Sequence, residues 1–283
     1  MTEARRGADL HLHTTCSDGC SSPAAVVAAA CAAGLRAIAV TDHDTMAGVL
    51  PACAAAGSEL EVVAGVELSA QAGNDEIHIV GLFLPATGSS LAEELQRYQE
   101  RRRSRVEAIC ARLDALGCPL TVEEVLELAA GGAVGRVHVA RALRRRGFVR
   151  SVGEAFDRYL GNHAPAHVPK DRPTPEQAIR LIHECGGLAV LAHPGLTRRD
   201  DVIPSLARVG LDALEVYSPA HTPEQIVHYL ALAQQYALLI SAGSDYHGNG
   251  KNETAIGSVR LLDEKLEALR ERGQKWQAHL ETG

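Results

Sequence analysis

No run of eighteen or more apolar residues occurs in the 283-residue chain, so no membrane span is expected. The opening MTEARRGADLHLH has basic residues but no apolar core, which argues against a secretory leader and makes the cytoplasm the expected location. The seven cysteines are odd in number and lack zinc-ribbon spacing. Most sit among alanines in helix-like stretches, where a free thiol packs as a small hydrophobe. An excess of positive charge is also missing: the net charge is −7, which argues against a protein that coats nucleic acid nonspecifically. Neither a GxSxG elbow nor a P-loop is present, so the serine-hydrolase and nucleotide-cradle routes to phosphate chemistry have no support. No internal repeat or low-complexity linker is evident.

The composition, 46% hydrophobic and 22% charged, is that of a folded globular chain. Its length suits one large α/β domain or a barrel carrying an insertion. Seven short β-rich runs stand out, at 8–13, 37–44, 61–69, 77–84, 188–195, 213–218 and 238–247. Most are apolar on both faces, which predicts a buried, largely parallel sheet or barrel. Helical patterns alternate with them. Three open on a hydroxyl followed by proline (Ser22-Pro23, Thr174-Pro175, Thr222-Pro223), the expected N-cap and first helical position. Residues 91–170 break the rhythm with a long helix and several shorter ones. They predict a helical insertion domain between the fourth and fifth strands, with 1–90 and 171–283 forming the barrel.

The polar residues fall where these runs end. His11 and His13 close the first run, and their i, i+2 spacing puts both on one strand face. Asp18 lies in the next loop. Asp42, His43 and Asp44 follow the second run, Glu67 ends the third, and His78 begins the fourth. His193 follows the fifth, and Asp245 and His247 follow the seventh. The carboxyl rim of an α/β barrel is where active sites are built. So many carboxylates and imidazoles converging there would be costly without compensating positive charge. A lone HxH is more often a surface or hydrogen-bonded group, but two HxH/DxH pairs with TDHD and GVE, each at a strand end, point jointly to divalent metals. Cys16 and Cys20 flank Asp18, but the hard and borderline ligands around them disfavour a thiolate role.

As a set, Asp9-Leu10-His11-Leu12-His13 with Ser17-Asp18-Gly19, Thr41-Asp42-His43-Asp44, Gly65-Val66-Glu67, His78-Ile79-Val80-Gly81, Ala192-His193-Pro194-Gly195 and Gly243-Ser244-Asp245-Tyr246-His247 resembles the PHP (polymerase and histidinol phosphatase) family, in order and over essentially the whole chain. The resemblance implies a distorted (β/α)7 barrel and a metal-dependent phosphoesterase. It implies two or three divalent ions (Mn, Zn, Fe or Mg). His11, His13, Glu67 and Asp245 would hold the first, and Glu67, bridging, with His78 and His193 the second. Asp18, His43 and His247 would hold the third. Some family members carry histidine where Asp18 stands; aspartate favours a harder ion there or a lower occupancy. Asp42 and Asp44 are expected to orient neighbouring groups or cap a helix. The catalytic group implied is a metal-bound hydroxide that attacks phosphorus.

Within the family, the chain looks most like the branch acting on nucleotide 3′,5′-bisphosphates and the 5′ ends of short RNA. Arg102 and Arg105, then Gly135-Arg136-Val137-His138, then Tyr159-Leu160-Gly161 running to Val168-Pro169-Lys170 carry that likeness. Arg102, Arg105, Arg136, His138 and Lys170 are the candidate phosphate-binding residues away from the metals, because guanidinium forks match phosphate oxygens. Arg144-Arg145-Arg146 reads as a solvated face. His221 is a candidate for phosphate contact or leaving-group protonation, or equally for a surface cap. His163, His167, His183, His228 and His279 have no supporting pattern. The expected partner is a phosphorylated nucleotide or short RNA, with neither duplex DNA nor membrane; the oligomeric state is open. The alternatives are a histidinol-phosphate phosphatase, disfavoured by the arginines, and a non-catalytic metal-stabilised binding domain, disfavoured because no matched ligand is missing.

Overall fold

The computed structural model describes all residues except 1–5, 59, 74, 87–89, 130–131, 170–171, 249–253 and 283, and side chains except also those of 90, 92 and 279–282. Its centre is one seven-stranded sheet whose spatial order is its sequence order: β1 (Ala8–Leu12), β2 (Ala37–Val40), β3 (Glu61–Ala72), β4 (Asp75–Leu82), β5 (Leu188–Leu191), β6 (Ala213–Tyr217) and β7 (Leu239–Ala242). The sheet curls until its ends meet. Leu12 forms a parallel bridge with Tyr246, and His13 N donates to Tyr246 O at 2.9 Å. The result is the distorted seven-stranded α/β barrel expected from the sequence.

Four of the strand pairs are parallel: β1–β2, β2–β3, β5–β6 and β6–β7. β4 alone is antiparallel to both neighbours, because β3 turns directly into it with no helix between. That reversal refines the largely parallel expectation and positions a key residue. His78 lies near the beginning of β4, opposite Ser69 near the end of β3. Running backwards, β4 delivers its first residues to the rim where the other strands deliver their last.

Helices cover the barrel as the capping residues require. Ser22 caps α1 (Pro23–Ala32), and its hydroxyl accepts from Ala25 N. α2 (Val49–Ala56) follows β2. Between β4 and β5 the chain runs through α3 (Ser90–Ala115), α4 (Val122–Ala129), α5 (Arg136–Arg145), α6 (Val152–Ala155) and a π-turn at Phe156–Leu160. These helices bury their own apolar residues, including Ile109, Leu113, Val125, Leu143 and Leu160, in a cluster separate from the barrel's. Thr174 and Thr222 each form a capping box, with Gln177 and Gln225, at the starts of α7 (Pro175–Glu184) and α10 (Pro223–Gln235). The short α8 (Pro194–Thr197) and α9 (Ile203–Arg208) fill the β5–β6 connection. α11 (Asp263–Thr282) closes the far end, where Trp276 stacks on His183 at 3.7 Å and donates to buried Asp212. Among the described residues, no helix is long and apolar enough to cross a membrane.

Candidate metal centre

All nine ligand candidates converge on one rim. Glu67, buried within β3 opposite Val80 of β4, is the hub. Its Oε1 lies 2.8 Å from His78 Nδ1, 3.2 Å from His193 Nε2 and 3.4 Å from His11 Nε2. Its Oε2 lies 2.9 Å from His43 Nδ1 and 3.2 Å from His13 Nε2. Asp245 faces the other side of the first-strand pair, 3.6 Å from His11 Nε2 and 3.4 Å from His13 Nε2. Asp18 lies 3.2 Å from His247 Nε2 and 3.9 Å from both His43 Nε2 and His13 Nδ1. The potential ligand atoms form overlapping groups: His11–His13–Asp245, His11–Glu67–His193, His43–Glu67–His78 and His13–Asp18–His43–His247, each within 4.8 Å internally. His43 therefore stands between Glu67 and Asp18, with one ring nitrogen toward each. Neither Cys16 nor Cys20 joins a group.

The chain strains itself to reach this arrangement. Asp44, His193 and Asp245 all have positive φ, at 51°, 26° and 50°. Such conformations cost on the order of 1–3 kcal/mol each for residues with a side chain. Gly243 is required by closeness: a Cβ there would come within 2.2 Å of His11 Cβ and 2.8 Å of Glu215 Oε1.

A layer of buried acceptors orients the ligands. Glu215 Oε1 lies 3.1 Å from His11 Nδ1, while its Oε2 accepts from His193 N at 2.7 Å. Asp42 accepts from Thr14 N and Thr14 Oγ1, both at 2.7 Å, and from Ser17 Oγ at 2.5 Å, so it fixes the loop that carries Asp18. Asp44 accepts from Ser69 N at 2.9 Å and from Arg102. Both aspartates thus orient neighbours, as expected, and neither caps a helix. Glu76 Oε1 accepts from His78 Nε2 at 3.0 Å. This pattern, a carboxylate on the far nitrogen of an imidazole, is the usual support of a metal-binding histidine.

The electrostatics show what the site lacks by itself. Burial alone drives the imidazoles of His11, His13, His43 and His78 toward neutrality. In His13 the nearby carboxylates of Asp245 and Glu67 outweigh burial and lift its pKa to about 10. Burial lowers His78 as well, but the carboxylate of Glu67 and then that of Glu76 bring it up to about 9. His11 is raised well above its ordinary value against the same burial penalty by Glu215, Glu67 and Asp245. In His43 burial wins, and its pKa falls to about 4. Glu67 and Asp245, although burial opposes it, are held well below the usual carboxylate range by the surrounding imidazoles. Protons on histidine are thus what balances the carboxylates when nothing else does, and cations that bind there displace them.

The donor set fits divalent ions. His11 Nε2, His13 Nε2, His43 Nδ1, Glu67 Oε2, His78 Nδ1 and His193 Nδ1 are buried without a hydrogen-bond partner. Leaving a buried polar atom unsatisfied costs about 1–3 kcal/mol. Several such atoms of imidazole and carboxylate in one cluster are what a borderline-to-hard cation would satisfy.

The substrate candidates divide. A cleft of about 240 Å³ opens beside the cluster, lined by Asp18, His43 and His78 on one side and by Arg136 and His138 on the other. His138 is fixed there, its Nδ1 accepting from Gly135 N at 3.0 Å. A second pocket of about 220 Å³, lined by Arg105, Arg136, Arg172 and Glu76, shares Arg136 and Glu76 with the first. Arg105 Nε donates to Val168 O at 2.8 Å, and Arg136 donates to Leu160 O at 3.0 Å. Burial, and then repulsion from Arg136 and Arg172, pull the Arg105 pKa down to about 9, a sign of guanidiniums crowded without enough anions.

Arg102 lines the cleft beside the cluster as well. Its guanidinium is bound to Asp44 and donates to Val134 O at 3.3 Å, so it also braces the loop next to His43. His221 is placed differently. Nδ1 pairs with Val216 O at 2.9 Å and Nε2 accepts from Gly195 N at 3.0 Å, so both ring nitrogens are committed and no proton remains to give a leaving group. Lys170 and the side chain of His279 lie outside the described residues. His163 and His167, given no role by the sequence, line the second pocket, while His183 and His228 pair with Asp212 and Asp200 away from the cluster. Glu215, Glu76 and Arg172 were missed. An acid inside the apolar ALEVY strand was a usable signal for Glu215, and Glu76 stands two residues before His78. Nothing local marks Arg172.

The chain is similar to known proteins along most of its length. Residues 9–161 match the PHP domain. The chain is 40% identical to the 5′-3′ exoribonuclease Rnm of Escherichia coli (strain K12), over 84% of each chain. It is 31% identical to a 3′,5′-nucleoside bisphosphate phosphatase of Chromobacterium violaceum, over 90% of this chain and 92% of that one. A solved structure of a candidate metal-dependent phosphoesterase from Bifidobacterium adolescentis superposes with a TM-score of 0.86 at 29% identity, covering 95% of this chain and 96% of that one. The chain belongs to the PHP-domain family and is a metal-dependent phosphoesterase.

Proposed function

We propose that the enzyme hydrolyses phosphoesters of nucleotides that carry a second phosphate, namely the 3′-phosphate of 3′,5′-bisphosphonucleotides and the 5′ ends of short RNA. The observation that carries this is the arginine-lined extension of the cleft. Cleft and pocket together fall within the roughly 300–1,000 Å³ of small-ligand sites. One end is the carboxylate–imidazole cluster, and the other is Arg136 with Arg105 and Arg172. A ligand with one phosphate at each end satisfies both. The similarity to an exoribonuclease and to a bisphosphate phosphatase favours the same substrates.

In this proposal His11, His13, Glu67 and Asp245 hold one divalent ion, and Glu67, His78 and His193 a second. Asp18, His43 and His247 hold a third, with Mn, Zn, Fe or Mg as the candidate ions. Such ions supply Lewis acidity to phosphoryl oxygens and make water nucleophilic at neutral pH. The chain's own residues do the rest. Glu215, Glu76 and Asp42 keep the ligating groups oriented. Arg136 and His138 position the remote phosphate, and the helical segment 91–170, which carries both, supplies specificity. The buried rim excludes bulk water, which strengthens every charge interaction within it.

Histidinol phosphate is a poorer fit, because three guanidiniums at the distal end repel an amino alcohol cation. The test compares adenosine 3′,5′-bisphosphate, 5′-phosphorylated oligoribonucleotides and histidinol phosphate on protein of measured metal content. Turnover of either nucleotide substrate, with KM raised at least about tenfold by Arg136→Ala, is expected for a lost charge-assisted contact. Turnover of histidinol phosphate alone rejects the proposal.

A further inference from the structure

We propose that Glu76 is a positioning residue that couples the arginine pocket to the metal-binding imidazole of His78. The inference rests on the metal-centre reading given above and adds to it a link between its two ends. His78 is held between two carboxylates: Nδ1 faces Glu67 at 2.8 Å, and Nε2 donates to Glu76 at 3.0 Å. The same Glu76 oxygen, Oε1, also takes the guanidinium of Arg172. That guanidinium belongs to a side chain only 5% exposed, whose Nε is buried without a hydrogen-bond partner. Glu76 and Arg172 line the second pocket together.

One carboxylate oxygen is thus shared between a histidine that turns its other nitrogen to the cluster and an arginine in the wall of the anion pocket. Sharing has a sign. Whatever draws Arg172 away from Glu76 leaves more of the carboxylate's charge on His78, and a more negative partner makes an imidazole a better ligand. An anionic group bound at Arg172 therefore strengthens the hold of His78 on its ion, and by reciprocity the ion favours the anion. Losing Glu76 has the opposite effect: His78 loses its orientation, and Arg172 loses its counter-charge.

The experiment titrates metal-stripped protein with Mn²⁺ by calorimetry, comparing wild type with Glu76→Ala, Glu76→Gln and Arg172→Met, with thermal melts run alongside. Glu76→Ala is expected to weaken one Mn²⁺ equivalent by about 10–100-fold, the usual cost of losing such a support, and to leave the others close to wild type. Glu76→Gln keeps an acceptor for His78 Nε2–H and weakens that equivalent less. Arg172→Met leaves it as tight as wild type or tighter, while raising KM for adenosine 3′,5′-bisphosphate. Wild-type Mn²⁺ binding at every equivalent in Glu76→Ala overturns the inference. So does an Arg172→Met variant weakened as much as Glu76→Ala, since the pair is then a structural brace. If Glu76→Ala does not fold, the comparison passes to Glu76→Gln, which must be weaker than wild type where Arg172→Met is not. A wild type that takes up no Mn²⁺ brings down the metal-centre reading itself, a result separate from any difference among the variants.

Discussion

Stripping the metal should make the protein's stability fall as pH rises, the reverse of what the loaded protein does. His78 carries the clearest share. Burial would lower its pKa, but Glu67 and Glu76 raise it to about 9 from an ordinary 6.5. A raised histidine contributes stability that is complete below its unfolded pKa and is lost as pH climbs through its folded one. The window is therefore about pH 6.5 to 9. At about 1.4 kcal/mol per pKa unit the shift is worth about 3 kcal/mol, or a drop in Tm of roughly 5–10 °C for a chain of this size. His13, lifted to about 10 against burial by Asp245 and Glu67, extends the fall to higher pH. Glu67 and Asp245 shift the other way: what they contribute is present above the ordinary carboxylate pKa and is lost only in acid, outside this window. With saturating Mn²⁺ the ions replace those protons, so the metal-induced rise in Tm should grow steadily from pH 6.5 to 9. Calorimetry near pH 7.5, in buffers of different ionisation enthalpy, should register proton release on binding. A chelated protein whose Tm is flat or rises across that window, or a metal-induced rise equal at both ends, refutes the electrostatic reasoning.

Other outcomes follow from the same geometry. Glu67→Gln, at the hub of five imidazoles, should lower kcat by at least about 100-fold and remove bound metal measured by elemental analysis, since even the supporting shell is worth that much. Arg102→Met breaks a largely buried pair with Asp44 and should cost about 3 kcal/mol in denaturant unfolding; an unchanged midpoint with a raised KM would restore the substrate role expected from sequence. His221→Gln should leave the alkaline limb of the pH–rate profile in place, because both nitrogens of the native ring serve Gly195 and Val216; loss of that limb would make His221 the general acid after all.

Much of this is legible in the amino-acid sequence itself. The seven strands, the three proline-started helices and the convergence of His11, His13, Glu67, His193 and Asp245 all follow from apolar runs that end in ionisable residues. Local patterns carry that information because strand ends and helix caps are local events. The reversed direction of β4 was not legible. An apolar strand looks the same in either sense, and only the tight β3–β4 turn decides it. For that reason His78, expected at the start of a strand, still reaches the same rim. Arg102 and Arg172 were opaque for a different reason. Their partners Asp44 and Glu76 are distant in sequence, so nothing local shows that an arginine lining a pocket is also paired. His221 could be resolved only by its backbone partners, which no motif encodes.

The most direct measurement is anomalous diffraction from crystals soaked in Mn²⁺ or Zn²⁺. Peaks are expected among Glu67, His78 and His193, beside His11, His13 and Asp245, and between Asp18, His43 and His247, at about 2.0–2.2 Å from the ring nitrogens. A cluster that stays without anomalous signal at saturating metal, while the fold is intact, would contradict the assignment of these side chains to cations.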